Sequence, residues 1–224
     1  MSAKIDTVLA WLKWPVAIAA VLLLPGSLTA LFLLLGRAAV TWQVSLPLLL
    51  GAGLYMGLWW LARRRPAFGS FFSTLAHELT HALFALLTLH RVTGLRATWS
   101  RGGSMTVEGR GNWLITIGPY FFPSVCLIPA VALALVPQDY LLWVNLLMGA
   151  TLAWHVTAMW EQTHPEQSDL RKVGLPFACM FLPTANTMAL GSAIGLSHSG
   201  LSGLAGFLAE VFAQTFGLFA QVMQ

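Results

Sequence analysis

Residues 70–89 read SFFSTLAHELTHALFALLTL, an apolar run with His77-Glu78-Leu79-Thr80-His81 at its centre. In an α-helix, residues four positions apart lie on the same face, one turn apart. His77 and His81 can therefore direct both imidazoles at one metal ion. Glu78 is rotated by about 100° from His77 around the helix axis, so it lies beside the ion and within reach of a water there. This H-E-x-x-H spacing predicts a zinc site with hydrolytic chemistry.

The apolar surroundings of the motif extend through the whole chain. Of 224 residues, 57% are hydrophobic and only 9% are charged, whereas soluble domains carry about 25% charged residues. This composition predicts a polytopic integral membrane protein, with a single domain over residues 1–224. The net charge of +4 fits basic loop residues that face lipid head groups, so it does not indicate binding to nucleic acid.

We predict an all-α polytopic membrane protein with about six transmembrane helices. The predicted spans are 14–35, 44–62, 70–89, 113–136, 140–160 and 173–196. A last apolar segment, 202–222, is either a seventh span or a helix lying along the membrane interface. The core is expected over 70–183, with the first two spans accessory to it. In the second span, Gly53 and Gly57 form a small-xxx-small pair, which is typical of close helix packing.

A small β-hairpin is predicted after the H-E-x-x-H helix, over residues 92–108. Two β-prone runs flank Gly102 and Gly103 there, and two such runs around Gly-Gly are typical of a hairpin. Its strand edge either pairs with an extended peptide or belongs to an ordinary loop.

The next predicted span contains three prolines, Pro119, Pro123 and Pro129. Prolines are tolerated in a membrane where neighbouring groups or water satisfy the carbonyls that they leave free. The sequence therefore predicts a distorted fourth helix beside a cavity.

Hydrolytic zinc needs a third protein ligand while a fourth position stays open. Asp169 directly precedes an apolar run, so it can project from a helix start into the bundle, although it would equally serve as a helix cap. His155 lies within a span, where an unpaired imidazole is costly, although it would equally be a packing histidine. Other candidates are Glu161, His164 and Glu166, which cluster with these two residues, and Asp139 in the tight turn before the fifth span. The alternative for the whole motif is a hydrogen-bonded polar cluster that packs helices.

These features resemble the site-2 protease class of intramembrane zinc metalloproteases, peptidase family M50, in its compact M50B-like branch. The resemblance covers about residues 70–183. It rests on H-E-x-x-H in a span, the basic hairpin, Gly118-Pro119 in the next span and the late Ser168-Asp169 pair. Two features depart from the family pattern: Phe122 stands where an asparagine is usual, and the Leu-Asp-Gly form of the third-ligand motif is absent.

The resemblance implies a zinc peptidase that acts within the membrane. It implies Zn²⁺ held by His77, His81 and Asp169, with Glu78 as the general base for a zinc-activated water. The expected substrate is a single-span or otherwise membrane-anchored protein, cleaved at a peptide bond. We expect an integral membrane protein of the bacterial inner (cell) membrane.

Asn145 and His155 are polar groups at membrane depth, and both are candidates for stabilising the transition state or positioning the substrate. The alternative function is a non-proteolytic metal-binding membrane protein, namely a carrier, a sensor or a scaffold. A hydrolase acting on lipid or on a lipidated protein is a further alternative. Imidazole and carboxylate ligands also accept other divalent ions.

Overall fold

The computed structural model describes residues 1–62, 69–99 and 102–222 of the chain. The tip of the predicted hairpin, residues 100–101, lies outside the described residues. The helices are α1 (Ser2–Val40), α2 (Trp42–Ala62), α3 (Gly69–Leu87), α4 (Trp113–Ile117), α5 (Leu127–Leu135), α6 (Leu141–Gln162), α7 (Ser168–Val173) and α8 (Leu175–Val222). Short 3-10 turns cover Gly118–Tyr120, Ser124–Cys126 and Gln138–Tyr140.

Four helices in the described residues are long and apolar enough to cross a membrane, namely α1, α2, α6 and α8. The predicted fourth span is broken into Trp113–Tyr120 and Ser124–Leu135, which are bent by 76°, and counting it as one span gives five. The bend confirms the predicted distortion and lies where the prolines free backbone carbonyls. The apolar part of α3, Phe71–Leu87, is shorter than these helices. The number of spans therefore stays a prediction.

The predicted sixth and seventh segments form the two arms of α8. The helix is interrupted at Ser199 and Gly200, where Gly200 has a φ of +62° that favours glycine. A Cβ on Gly195 would lie 2.7 Å from the carbonyl oxygen of Gly203. Eight residues of straight helix would separate these two glycines by about 12 Å. The second arm therefore turns back against the first.

The first helix is longer than predicted, because residues 2–13 are helical rather than a polar lead. Asp6 anchors this part of α1 to the region around α3 and α4. Its carboxylate accepts hydrogen bonds from His90 Nε2 at 3.1 Å and from Asn112 Nδ2 at 2.9 Å. These partners are far away in sequence, so local composition gives no sign of them.

Helices α2 and α6 pack closely through glycines. A Cβ on Gly51 would collide with the carbonyl of Leu146, and a Cβ on Gly149 would collide with the carbonyl of Leu48. The predicted close packing through Gly53 and Gly57 is wrong, because an added Cβ on either glycine would have nothing within 4 Å. The close approach uses a different face of α2, turned towards α6.

The β-hairpin is confirmed. Strands β1 (Val92–Ala97) and β2 (Gly103–Val107) pair antiparallel, with Arg96 opposite Ser104 and Ala97 opposite Gly103. Its inner face packs on a buried cluster of Phe84, Ala85 and Ile115, which comes from α3 and α4. The hairpin thus lies against the H-E-x-x-H helix.

The packing of α2 on α6 gives a stability prediction. Gly149→Ala should lower the free energy of unfolding by about 1–3 kcal/mol, because the new methyl meets backbone that has no rotamer to change. The measurement is a denaturant titration of the protein in detergent micelles. Gly53→Ala is the control and should be neutral or stabilising by up to about 1 kcal/mol, since alanine is the better helix former. Equal effects of the two substitutions would contradict the packing described here.

Candidate metal centre

Helix α3 presents His77 and His81 side by side. Their ring centroids are 4.7 Å apart, with the ring planes at 80°. His81 is buried at 6% exposure. The spacing of four residues thus brings both imidazoles to one face, as predicted.

Asp169, from the short helix α7, meets these two histidines. Its Oδ2 lies 3.2 Å from His81 Nε2 and 3.7 Å from His77 Nε2. One ligand atom from each of the three residues lies within 4.8 Å of the others. Lys172 Nζ donates to the other carboxylate oxygen, Oδ1, at 3.1 Å. Oδ2 is therefore left to face the imidazoles.

Buried apolar side chains of α7 hold Asp169 in place. Leu170 and Val173 are 4% and 3% exposed, and both pack in one cluster with Ile117 and Phe177. Burial raises the pKa of the Asp169 carboxyl, but its contacts with His77, His81 and Lys172 lower it more. The pKa therefore lies well below its ordinary value. Asp169 is a carboxylate at neutral pH.

The outer nitrogen of His77, Nδ1, is the ring nitrogen that does not face Asp169, and a residue of α6 holds it. Its Nδ1 lies 2.8 Å from Gln162 Oε1, and Gln162 Nε2 donates to Ser73 Oγ at 2.7 Å. Since that bond uses the amide nitrogen, the amide oxygen faces His77 and Nδ1 must donate.

The outer nitrogen of His81 is held by a free backbone carbonyl. Its Nδ1 lies 2.7 Å from the oxygen of Ile115, which can only accept, so Nδ1 donates here too. In a continuing helix this carbonyl would bond the N–H of residue 119. Pro119 has no N–H, so the carbonyl is left free for His81. Asn112 caps the start of α4 by accepting from Ile115 N at 3.1 Å.

These donors decide what the centre can hold. With Nδ1 of each ring already donating, Nε2 is the nitrogen that faces the Asp169 carboxylate, and in the neutral ring this atom is a lone pair that can bind a metal. Two such lone pairs and a negative oxygen in a buried site repel one another unless positive charge, from protons or from a metal ion, lies between them. Two imidazole nitrogens and one carboxylate oxygen form a ligand set that zinc accepts. Outer hydrogen bonds that fix the tautomer are typical of metal-binding histidines. The residues therefore fit a metal ion.

Glu78 lies beside this centre, under the hairpin. The residue is 7% exposed, and it is not one of the three grouped ligand residues. A Cβ on Gly103 at the start of β2 would lie 2.6 Å from Glu78 Cγ and 2.7 Å from Oε1. Only a residue without a side chain allows the strand to pass this close over the carboxylate.

His155 lies next to the centre without joining the ligand group. It lines a small cavity of about 30 Å³ together with His77, Thr80, Ser124 and Gln162. Its Nε2 is buried without a hydrogen-bond partner. A cavity of this size holds a water, which would serve that nitrogen.

Asn145 is not brought to the centre. Its Oδ1 accepts from Ser197 Oγ on α8 at 2.6 Å. It precedes Gln162 by 17 residues on α6, which is about 25 Å along the helix axis. The predicted role of Asn145 at the reaction centre therefore has no support in the geometry, and its visible contact joins two helices.

Sequence reasoning missed Gln162, the Ile115 carbonyl and Gly103. The free carbonyl of Ile115 could have been predicted from Pro119, because a proline leaves the carbonyl four residues earlier without its helical partner. Gln162 and Gly103 depend on how distant elements pack, so no spacing rule points to them.

Residues 66–162 match a family model described as Peptidase M50B-like. The resemblance to the M50 family is confirmed. The M50B-like segment contains H-E-x-x-H, the hairpin, the broken span and Gln162, and it ends before Asp169. Comparisons of the chain with curated proteins and with solved structures gave no match.

The hydrogen bond from His77 to Gln162 gives a binding prediction. Gln162→Leu removes the acceptor that fixes the His77 tautomer, so zinc affinity should fall by about 10- to 100-fold. The measurement is competition with a chelator of known affinity. Gln167→Leu is the control, because Gln167 contacts the exposed His164 instead, and it should leave the affinity unchanged. Wild-type affinity in Gln162→Leu would contradict the assigned role of Gln162.

Proposed function

We propose that the protein is an intramembrane zinc metallopeptidase that cleaves membrane-anchored proteins. The observation that carries the proposal is the convergence of His77, His81 and Asp169 with Glu78 beside them. The M50B-like match supports peptidase chemistry, and four to five apolar helices in the described residues support a membrane location. We further propose that the protein is located in the bacterial inner membrane.

His77, His81 and Asp169 are the residues that would hold zinc. A bound zinc ion supplies a Lewis acid that polarises a carbonyl and makes water more acidic. The buried, low-dielectric setting strengthens these charge effects. Gln162 and the Ile115 carbonyl keep both imidazoles in the tautomer that ligation requires.

Glu78 is the general base of the proposed reaction. Its carboxylate takes a proton from water as the water oxygen bonds to the scissile carbonyl carbon. The same carboxyl then gives that proton to the amide nitrogen as the carbon–nitrogen bond breaks, so the carboxylate is regenerated. Its place beside the metal ligands, and outside their group, suits this role.

The hairpin offers a place for the substrate. In the described residues, β2 pairs with β1 alone, so one edge of β2 is unpaired. An extended chain can add to such an edge through backbone hydrogen bonds. Since Gly103 begins β2 and lies against Glu78, a segment bound there would run close to the base. We therefore favour peptide binding over an ordinary loop for this hairpin.

We expect the substrate to reach the site from within the bilayer. Large apolar side chains point outward from the helices, as lipid contact requires; examples are Ile128, Leu135, Trp143, Leu147 and Phe216. A substrate anchored in the same membrane reaches a buried centre laterally. The proposed partners are a membrane protein substrate and lipid, without nucleic acid.

Glu78→Gln tests this function directly. The variant should retain zinc, because the three ligands are untouched, while cleavage of membrane proteins falls by at least about 100-fold. Zinc content of the purified protein and the full-length membrane proteins that accumulate in cells are the two measurements. Glu108→Gln, on the exposed end of the hairpin, is the matched control and should cleave normally.

Two results would contradict the proposal. Unchanged processing in Glu78→Gln would favour a metal carrier, sensor or scaffold, in which Glu78 is dispensable. Loss of zinc in the same variant would make Glu78 a ligand instead of a base.

A further inference from the structure

Two buried polar side-chain atoms in the described part of the chain have no hydrogen-bond partner, Tyr120 Oη and His155 Nε2. Both belong to residues near His77. Buried polar atoms without partners are rare because they lose their bonds to water and gain nothing, and a catalytic role is one explanation for them. For His155 a water in the adjoining cavity is a sufficient partner. Tyr120 does not line that cavity, so its hydroxyl needs another explanation.

The ring of Tyr120 is fixed on several sides. It is 1% exposed and packs in the cluster that includes Leu170, next to the ligand Asp169. Its ring stands edge-on to His77, with centroids 5.3 Å apart and planes at 89°. Its backbone carbonyl accepts from Asn186 Nδ2 at 3.1 Å. These contacts hold the ring beside His77.

The surroundings of the phenol belong to the metal centre. Its ring contacts His77, and Leu170 in its cluster directly follows Asp169 in the chain. Other buried hydroxyls in the described residues have an acceptor, as Thr88 has in the Phe84 carbonyl at 2.7 Å, Thr184 in the Ala20 carbonyl at 2.6 Å and Ser197 in Asn145 Oδ1 at 2.6 Å. Tyr120 is therefore exceptional in having an O–H donor with no resident acceptor beside the proposed reaction centre.

We propose that Tyr120 donates a hydrogen bond from Oη to the oxygen of the scissile carbonyl as that oxygen gains negative charge. The inference rests on the proposed peptidase function and adds a catalytic residue to it. When the water oxygen bonds to the carbonyl carbon, the carbonyl electron pair moves onto oxygen, and the phenol stabilises it while keeping its own proton. A fixed donor without a ground-state partner suits this role, since it loses no existing bond when the charge develops.

Tyr120→Phe separates this role from a structural one. The variant keeps the ring and loses only the unpartnered hydroxyl. The metal-free protein should therefore unfold at the same or a higher temperature in detergent. The kcat should fall on the order of 100-fold, as for loss of one oxyanion donor, while KM and zinc affinity stay within about threefold of wild type. The substrate is the membrane protein that accumulates in cells with Glu78→Gln.

Two tyrosines serve as controls. Tyr55 Oη is hydrogen-bonded to Thr157 Oγ1 at 3.0 Å, so Tyr55→Phe should lower the unfolding temperature and leave kcat unchanged. Tyr140 is 57% exposed, and Tyr140→Phe should change neither quantity.

Several outcomes would overturn the assignment of Tyr120. They are wild-type kcat in Tyr120→Phe, a fall in zinc affinity that accounts for the lost activity, or destabilised metal-free protein. The unfolding and zinc measurements need no substrate, so they judge the assignment independently. If wild type and Glu78→Gln process membrane proteins alike, the proposed function itself fails. If Glu78→Gln is inactive and Tyr120→Phe is fully active, only the assignment of Tyr120 fails.

Discussion

The site depends on one constraint, the close contact of two buried imidazole nitrogens with the Asp169 carboxylate. His81 Nε2 and His77 Nε2 lie 3.2 and 3.7 Å from the same oxygen, Oδ2. Their outer nitrogens already donate elsewhere, so Nε2 is the atom that each ring has left for a metal ion. Such an arrangement is stable when a cation occupies its centre. The surrounding helices hold these groups together in a site suited to a metal ion.

The proline-broken span connects the membrane architecture to this constraint. Pro119 lacks an N–H, which leaves the Ile115 carbonyl free to orient His81. The same break places Tyr120 edge-on to His77. In a soluble protein, water would compete for such a carbonyl. In a bilayer every freed backbone group needs a protein partner. The broken helix supplies a free carbonyl, and His81 of the polar centre supplies the donor that this carbonyl needs.

Much of this site was predictable from local sequence, because local spacing determines it. The four-residue interval places His77 and His81 on one helix face, and β-prone runs around Gly102 and Gly103 predict the hairpin. Asp169 was one of two main third-ligand candidates, since spacing alone did not separate it from His155. The structure brings Asp169 to the histidines and leaves His155 beside a small cavity. Leu170 and Val173 pack α7 into the core, and this packing places Asp169 beside the histidines.

Features that depend on the meeting of distant elements were not predictable in this way. The extension of α1 relies on Asp6 reaching His90 and Asn112. The glycine contact between α2 and α6 depends on which face of α2 turns inward, and a small-xxx-small pattern does not specify that face. Asn145 is polar at membrane depth, as a site residue would be, yet it bonds to Ser197 on another helix. Polarity within a span indicates that a partner is required, without indicating which one.

X-ray absorption spectroscopy at the zinc edge tests the central claim most directly. For the purified wild-type protein, we expect one zinc per chain with two imidazole nitrogens at about 2.0–2.1 Å and oxygen ligands at about 2.0–2.2 Å. Asp169→Ala should lose the bound zinc or change its oxygen shell. A spectrum with three imidazoles, or with sulfur at about 2.3 Å, would contradict the ligand set of His77, His81 and Asp169. A protein that binds no zinc would contradict the account as a whole.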